Sequence, residues 1–586
     1  MPEQPTYYSQ VLDHLGLVAG MFDELGIGDV IDRATQQDPE KRDLTVGEAV
    51  KAMVLNGLGF INQALYLVPR FFQNKPTYRL ISPRVAPEQL NDDALGRALD
   101  TLYEYGVTAL YSLIATTAAK RLHLSPTYMH LDTTSFHVDG RYNSDEPPAA
   151  QVVHITKGYS RDHRPDLNQV MLELIVEHQA GIPVLMKPLN GNSSDPQAFG
   201  QVIHAHIDQL QTTYEATYLV ADSALYSEAN LEKLAQTAIK WITRVPATVR
   251  DVQVALAHVD PSIMAPLQEG YRYHELTSSY GGVEQRWVLI YAEARQAQAQ
   301  RTADKQLRQQ TDKEVKAFTT LCRTPFACEA DARQALLAFA QDLQVTFLAS
   351  STVRATPRYH KRGRPGKGVP PDQVVYHIDG ALASSLTPRQ ALIDQHSCFL
   401  LATNELDATR LTPQELLEGY KGQVHAERGF RFLKDPHFLA SSLYLKKPAR
   451  IMALLMVMTV CLLVYAALEY RIRQALKDHA ATFPDQKGKR IHNPTARWVL
   501  QYFVGIHLLC QAGQWPIVLN LTAEHQHLLR LLGQPYMRFY DSTFAALQNV
   551  LNRDTPQGER TDYSPVLTRV SQAKVILGFE KQMPSP

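Results

Sequence analysis

At 586 residues the chain is too long for one hydrophobic core, and about 150 residues per domain suggests three or four units. Its 45% hydrophobic and 20% charged residues are those of ordinary globular material. With 59 Lys+Arg against 59 Asp+Glu the formal charge is zero, so composition does not advertise a nucleic-acid binder, and affinity for phosphates has to come from local basic patches.

Five cysteines, Cys322, Cys328, Cys398, Cys461 and Cys510, are odd in number and contain no CxxC pair. That argues against a disulfide framework or a zinc ribbon, and Cys322 and Cys328 read as small buried residues. Met1 is followed by acidic and polar residues without a basic apolar leader, so the expectation is a cytoplasmic protein without a secretory signal.

Residues 1–125 read as a separate helical domain suited to DNA-end binding or dimerisation. A helix is expected over Tyr8–Leu25. Thr45 and Glu48 form a capping box that opens a helix over Ala49–Leu67, and a third helix runs from Asn91 to Leu113. No helix-turn-helix signature stands out, and a plain packing domain fits the pattern equally.

After Pro126 strands take over, and 126–246 reads as the first part of an α/β core. Tyr128–Asp132 is a short strand ending in an acid, with Phe136–Gly140 continuing into a hairpin-like turn. Gln169–His178 and Pro183–Pro188 extend the sheet across a turn at Gly181. Asp195 and Pro196 open a helix to about Leu210. Tyr218–Asp222 is a buried strand again ending in aspartate, followed by a helix from Glu228 and a short strand over Lys240–Val245. Ligands of open α/β sheets gather at the carboxyl ends of strands, which makes Asp132 and Asp222 candidates to face one another.

Residues 247–395 read as an insertion with a strand over Trp287–Tyr291, helices over Glu293–Thr320 and Ala330–Leu343, and strands at Thr346–Ser350 and Val374. Its segment 354–367 carries Arg354, Arg358, Lys361, Arg362, Arg364 and Lys367 and no acid. The Arg362-Gly-Arg364-Pro365 core resembles an AT-hook, whose arginines enter narrow A·T minor grooves. A disordered basic loop is the plain alternative.

The strand Ser397–Ala402 returns to the core, which is expected to continue over 396–470. Thr412 caps a helix at Pro413 that runs on through Lys434. On a continuous helix Tyr420, Gln423, Glu427 and Lys434 share one narrow stripe, a set of polar groups unsuited to a core. Ile451–Leu468 is apolar over about 18 residues, the length of a membrane span; its charged flanks and solitary occurrence read instead as a buried core helix. Residues 471–586 look mostly helical, with an apolar run over Trp498–Leu509.

Three carboxylates, Asp132, Asp222 and Glu427, on two strands and a helix packed against them, suit a site for two divalent cations. Their hard oxygen donors favour Mg²⁺ or Mn²⁺ and phosphodiester chemistry.

These pieces resemble the DDE transposases of bacterial insertion sequences, specifically the insertion-sequence-four superfamily with its Tyr-(2)-Arg-(3)-Glu-(6)-Lys signature. Tyr420, Gln423, Glu427 and Lys434 hold those positions, Leu131-Asp132-Thr133-Thr134 matches the first acid, Gly191-Asn192 with Asp195 the loop, and Val220-Ala-Asp222 with Tyr226 the second acid. Lys446-Lys447-Pro-Ala-Arg-Ile451 before an apolar helix also looks like this family, in the manner of its sixteen-thirty-four branch.

The resemblance covers about residues 126–470. It implies a ribonuclease-H-like α/β fold, a mixed sheet flanked by helices with a β-containing insertion between the second and third acids, and helical regions at both ends. It also implies metal-dependent cleavage and strand transfer of double-stranded DNA in cut-and-paste transposition, often through hairpin ends, by a homodimer or larger synaptic assembly with two ions per site. The spacings, 90 residues from Asp132 to Asp222 and 205 to Glu427, leave room for that insertion.

Tyr420 and Lys434 inherit contacts near the cleaved DNA end. Gln423 departs from the signature arginine and loses its bidentate pairing with phosphate, which Arg428 or Lys421 would have to replace. Related enzymes stack a tryptophan of the insertion on a flipped base; Trp287 is the only tryptophan in this one, although a tryptophan opening an apolar strand is also a common core residue. A nuclease without strand transfer and a catalytically silent DNA-binding derivative are the competing readings, with a membrane protein last.

Overall fold

The computed structural model describes residues 7–38, 43–60, 67–138, 142, 152–159, 164–194, 199–200, 206, 213–214, 216–257, 259–359, 370–435, 445–511 and 516–542. The protein is mixed α/β, with helices flanking its sheets. Its chain divides into two compact units, one of residues 1–220 with 422–586, the other of 221–421.

The first unit opens with strand β1 (Tyr7–Val11), not with the expected helix. The pairing that decides this lies far along the chain: β1 runs antiparallel to His507–Gln511, which pairs in turn with Ile517–Leu519. A helix begins only at Leu15, after Asp13 has turned the chain with a positive φ of 45°. The capping box at Thr45 forms as read: its hydroxyl accepts from Glu48 N and the Glu48 carboxylate accepts from Thr45 N, opening a helix over Val46–Gly57. The third expected helix divides at Gly106, whose φ of 103° suits glycine alone, into Asp92–Tyr105 and Val107–Arg121.

Within this unit the strand order is β4-β3-β2-β5, with β2 Tyr128–His137, β3 Gln169–Glu177, β4 Pro183–Leu189 and β5 Tyr218–Ala221. The expected break after Asp132 is absent. β2 pairs without interruption from Met129↔Glu177 to His137↔Gln169, so the two segments read separately are one strand. At the β3–β4 turn the buried carboxylate of Glu177 accepts from the backbone N–H groups of Gln179, Ala180 and Ile182. Asp195 and most of the helix expected after it lie outside the described residues.

The apolar helix Pro448–Asp478 sits in the middle of the first unit's core, beside the helices Leu15–Glu24, Val46–Gly57 and Asp92–Tyr105 and strand β4. It is long and apolar enough to cross a membrane, and 83% of that stretch is buried in protein. Helix-to-helix packing explains its apolar circumference. Arg450 at its start grips Asp100 through two hydrogen bonds of 2.7 and 2.6 Å. The C-terminal region is less helical than expected, because Trp498–Leu509 divides into the helix Ala496–Tyr502 and the strand His507–Gln511.

The second unit carries the strand order β6-β12-β9-β8-β7, with β6 Lys240–Arg244, β7 Ala265–Gln268, β8 Tyr271–Ser278, β9 Gln285–Ala292 and β12 Cys398–Thr403. Two long strands, β10 Thr346–Arg358 and β11 Gln373–Ser384, form a separate ribbon whose apolar face covers the helices Gln296–Arg323 and Glu329–Gln341. β10 extends eight residues beyond the expected Ser350, so Arg354 and Arg358 lie on a strand and not in a loop. Cys328 is exposed, not buried, and its sulfur accepts from Asp331 N at the start of a helix.

Candidate functional site

In the first unit Asp132 lies on β2 and is 8% exposed, with its Oδ1 accepting a 2.7 Å hydrogen bond from Thr133 N. Side chains alternate along a strand, so His130, Asp132, Thr134 and Phe136 share one face. Against β2 packs the helix Val424–Leu433, which carries Glu427. Ala426, Gly429, Phe430 and Leu433 face inward on that helix, while Glu427, Arg428 and Arg431 are exposed. Gly429 meets Leu462 of the apolar helix closely: a Cβ there would sit 3.0 Å from the leucine Cδ2.

Tyr420, Gln423, Glu427 and Lys434 do not share one continuous helix. The helix Pro413–Lys421, capped by Thr412 as expected and closed by Glu415 into a box, ends one residue past Tyr420, and the chain turns through Gly422 and Gln423 before the next helix begins. Tyr420 falls in the second unit and the other three in the first.

Gln423 is 9% exposed, and its Nε2 donates a 3.0 Å hydrogen bond to the carbonyl of Leu131, the residue before Asp132. Lys434 Nζ lies 5.9 Å from the centre of the Phe136 ring. His130 is fully buried beside His425, their ring centres 6.4 Å apart. Burial, and then the neighbouring His425, push the His130 pKa down to about 3.

In the second unit Asp222 follows β5, and its Oδ1 accepts from Ala224 N at 2.9 Å while its carbonyl accepts from the Thr243 hydroxyl at 2.7 Å. Tyr226 donates its hydroxyl proton to Gln285 Oε1 at 2.8 Å and stacks on Tyr280 with ring centres 5.0 Å apart. Trp287 lies on β9, 3% exposed, and its indole N–H donates to the same Gln285 oxygen. Among the described residues no group of three His, Cys, Asp or Glu side chains is gathered to hold a metal ion.

A feature that sequence reasoning passed over surrounds Phe399 of β12. The ring is part-exposed, with the guanidinium of Arg295 5.2 Å from its centre and that of Arg244 at 6.0 Å. The ring of Tyr420 lies 6.4 Å away, tilted by 34°. Among the described residues no carboxylate pairs with either guanidinium; burial and then Arg244 hold Arg295 below the usual arginine range. Nearby Lys421 places its ammonium 3.8 Å from the Tyr271 ring centre. The available signal was an aromatic residue on the last strand before the third acid, but strand periodicity explained it without reference to a ligand.

Of the basic segment, Arg354 and Arg358 are exposed on β10, and Lys361, Arg362, Arg364 and Lys367 lie outside the described residues.

Residues 130–464 match the family model described as a transposase DDE domain, and residues 7–116 match a domain of unknown function, DUF4277. Comparison with curated proteins finds no match. A solved structure described as the piggyBac transposase synaptic complex with hairpin DNA aligns with 96% of this chain and 77% of its own, at 8% identity and a TM-score of 0.32, too loose a likeness to carry an argument.

Proposed function

The chain belongs to the transposase DDE domain family, whose match spans more than half of it, and from that premise we propose that it binds the terminal inverted repeats of a mobile element, cuts the DNA there and joins the ends to a target. The observation that carries this reading is that the match, over residues 130–464, brackets Asp132, Asp222 and Glu427 together with Tyr420 and Lys434. It would act in the cytoplasm as a homodimer or larger assembly, since two ends have to be joined, on a ribonuclease-H-like core.

Asp132, Asp222 and Glu427 are the residues that would hold two Mg²⁺ or Mn²⁺ ions. Their donor chemistry fits: all are carboxylates, and Asp132 and Asp222 each have one oxygen oriented by a following backbone N–H, the kind of outer support that fixes a ligating group. Ions bound there supply Lewis-acid activation of the attacking water or 3′-hydroxyl and charge stabilisation for the departing oxygen. The protein itself would contribute the carboxylates and capture of the strand.

Tyr420, Lys434 and Arg428 would meet the DNA end, and Arg358, Lys361, Arg362, Arg364 and Lys367 would supply a basic arm along the duplex. For a flipped base, Phe399, with Arg244 and Arg295 near its ring, fits better than Trp287. The phenylalanine is part-exposed and flanked by cations without carboxylate partners, whereas the indole is buried with its N–H engaged.

The test mixes purified protein with paired terminal repeats and Mg²⁺, comparing wild type with Glu427→Gln. Retained binding with lost cleavage supports the reading, and unchanged cleavage removes Glu427 from the site. Joining of the cut ends to a second DNA separates a transposase from a nuclease that stops at hydrolysis, and binding without cleavage by wild type would mark a catalytically silent derivative.

A further inference from the structure

We propose that Gln423 is a positioning residue that seats the helix of the third carboxylate on the strand of the first. The inference rests on the assignment of Asp132 and Glu427 to the metal site. Gln423 stands one turn before Glu427 along the chain, and its amide nitrogen donates to Leu131 O, the backbone oxygen adjacent to Asp132. One side-chain hydrogen bond therefore joins the two elements within a turn of both acids. The side chains this helix buries, Ala426, Phe430 and Leu433, are apolar, as is the close approach of Gly429 to Leu462, and apolar packing sets distance better than register along a strand.

The amide has little left for DNA. Its oxygen is buried without a hydrogen-bond partner among the described residues and lies beside His130, and its nitrogen is engaged with the backbone. Glutamine reaches the strand with a neutral, planar donor, where a buried arginine would have to be desolvated and paired. The arginine position of the signature is thus used here for holding the acids in place, and contact with phosphate falls to the exposed Arg428 and to Lys434.

The test uses the full chain and two variants, Gln423→Met, which keeps length and loses the donor, and Gln423→Asn, which keeps the amide and loses the reach. Three quantities are read: single-turnover cleavage of end DNA against Mg²⁺ concentration, end-DNA affinity against salt, and backbone hydrogen exchange over residues 424–433. The expected result is cleavage about 10-fold or more slower with a several-fold higher Mg²⁺ requirement, the size usual for groups that orient metal ligands. Exchange over 424–433 speeds up, while affinity and its salt slope stay as in wild type.

A loss of affinity with a salt slope shallower by about one, at an unchanged Mg²⁺ requirement, would make Gln423 a phosphate contact and overturn the proposal. Wild-type behaviour of both variants in all three readouts would also overturn it. If wild type itself fails to cut DNA, the metal-site assignment falls, and the exchange measurement still decides whether the hydrogen bond holds the helix.

Discussion

Gln285 Oε1 accepts the indole proton of Trp287 at 3.1 Å, and Gln285 Nε2 in turn donates to Tyr280 O at 2.7 Å. Together with the Tyr226 hydroxyl on the same oxygen, this ties Trp287 into a buried polar cluster of the second unit. Truncating a buried tryptophan leaves a large cavity and removes one of the two donors on the Gln285 oxygen, the Tyr226 hydroxyl remaining. We expect Trp287→Ala to lose about 3–5 kcal/mol in urea unfolding. Phe399→Ala should unfold within about 1 kcal/mol of wild type yet cut end DNA about 5-fold or more slower, since stacking is worth roughly 1–3 kcal/mol per base. Normal cleavage by Phe399→Ala in a stable protein would remove Phe399 from the DNA interface.

His14 supplies a pH dependence of stability. It is 2% exposed, its Nε2 donates to Leu58 O at 2.8 Å, and burial pushes its pKa down to about 4. With an unfolded value near 6.5, the unfolded chain takes up a proton between pH 6.5 and 4 that the folded protein refuses, so this stability is complete above pH 6.5 and is lost as pH falls towards 4. The shift corresponds to about 3 kcal/mol over that window. Replacing His14 by Gln, which keeps a donor for Leu58 and does not titrate, should flatten the urea midpoint between pH 6.5 and 4.5. A midpoint that falls as steeply in the variant would place the acid sensitivity elsewhere.

What was legible in the chain was local chemistry. The capping box at Thr45–Glu48, the Thr412 cap, the strand running up to Asp222 and the buried helix after Arg450 all follow from side chains close together in the chain. What was hidden depends on partners hundreds of residues away or on a single backbone torsion. Tyr7–Val11 is a strand because His507–Gln511 pairs with it, and Gly106 divides a helix that apolar spacing alone would continue. Asp222 was readable as the residue ending a strand, whereas Asp132, read the same way, lies within the unbroken strand Tyr128–His137. The turn at Gly422 was not readable, since an isolated glycine within a helical pattern is tolerated. Gln423 looked like a defect in a signature because its receptor, the carbonyl of Leu131, is a backbone atom and leaves no mark in the sequence.

The cations around Phe399 predict a salt effect. Each guanidinium that neutralises a DNA phosphate releases about 0.9 counterions, so log K against log salt should become shallower by about two in the double variant Arg244→Ala/Arg295→Ala. Arg333, paired with Glu329 one turn away on an exposed helix, is the control, and Arg333→Ala should leave the slope unchanged. Filter binding of end DNA between 50 and 200 mM salt measures both. An unaltered slope in the double variant would mean that these arginines serve the fold and meet no phosphate.

Gly429 offers a test of how tightly the Glu427 helix has to sit. The new methyl of Gly429→Ala would meet only the tip of Leu462, a flexible side chain, while alanine's better helix propensity returns up to about 1 kcal/mol. The two effects nearly cancel, so stability and cleavage should stay close to wild type. Valine adds two branches that a leucine tip cannot clear, and the strain of an overfilled contact, about 1–3 kcal/mol, is relieved most directly by lifting the helix from its bed. Glu427 is two residues away on that helix and would move with it. Gly429→Val should therefore lose cleavage by a larger factor than it loses end-DNA affinity, and a second substitution that makes room, Leu462→Ala, should restore part of the cleavage. If Gly429→Val cuts as fast as wild type, the position of Glu427 does not depend on this contact.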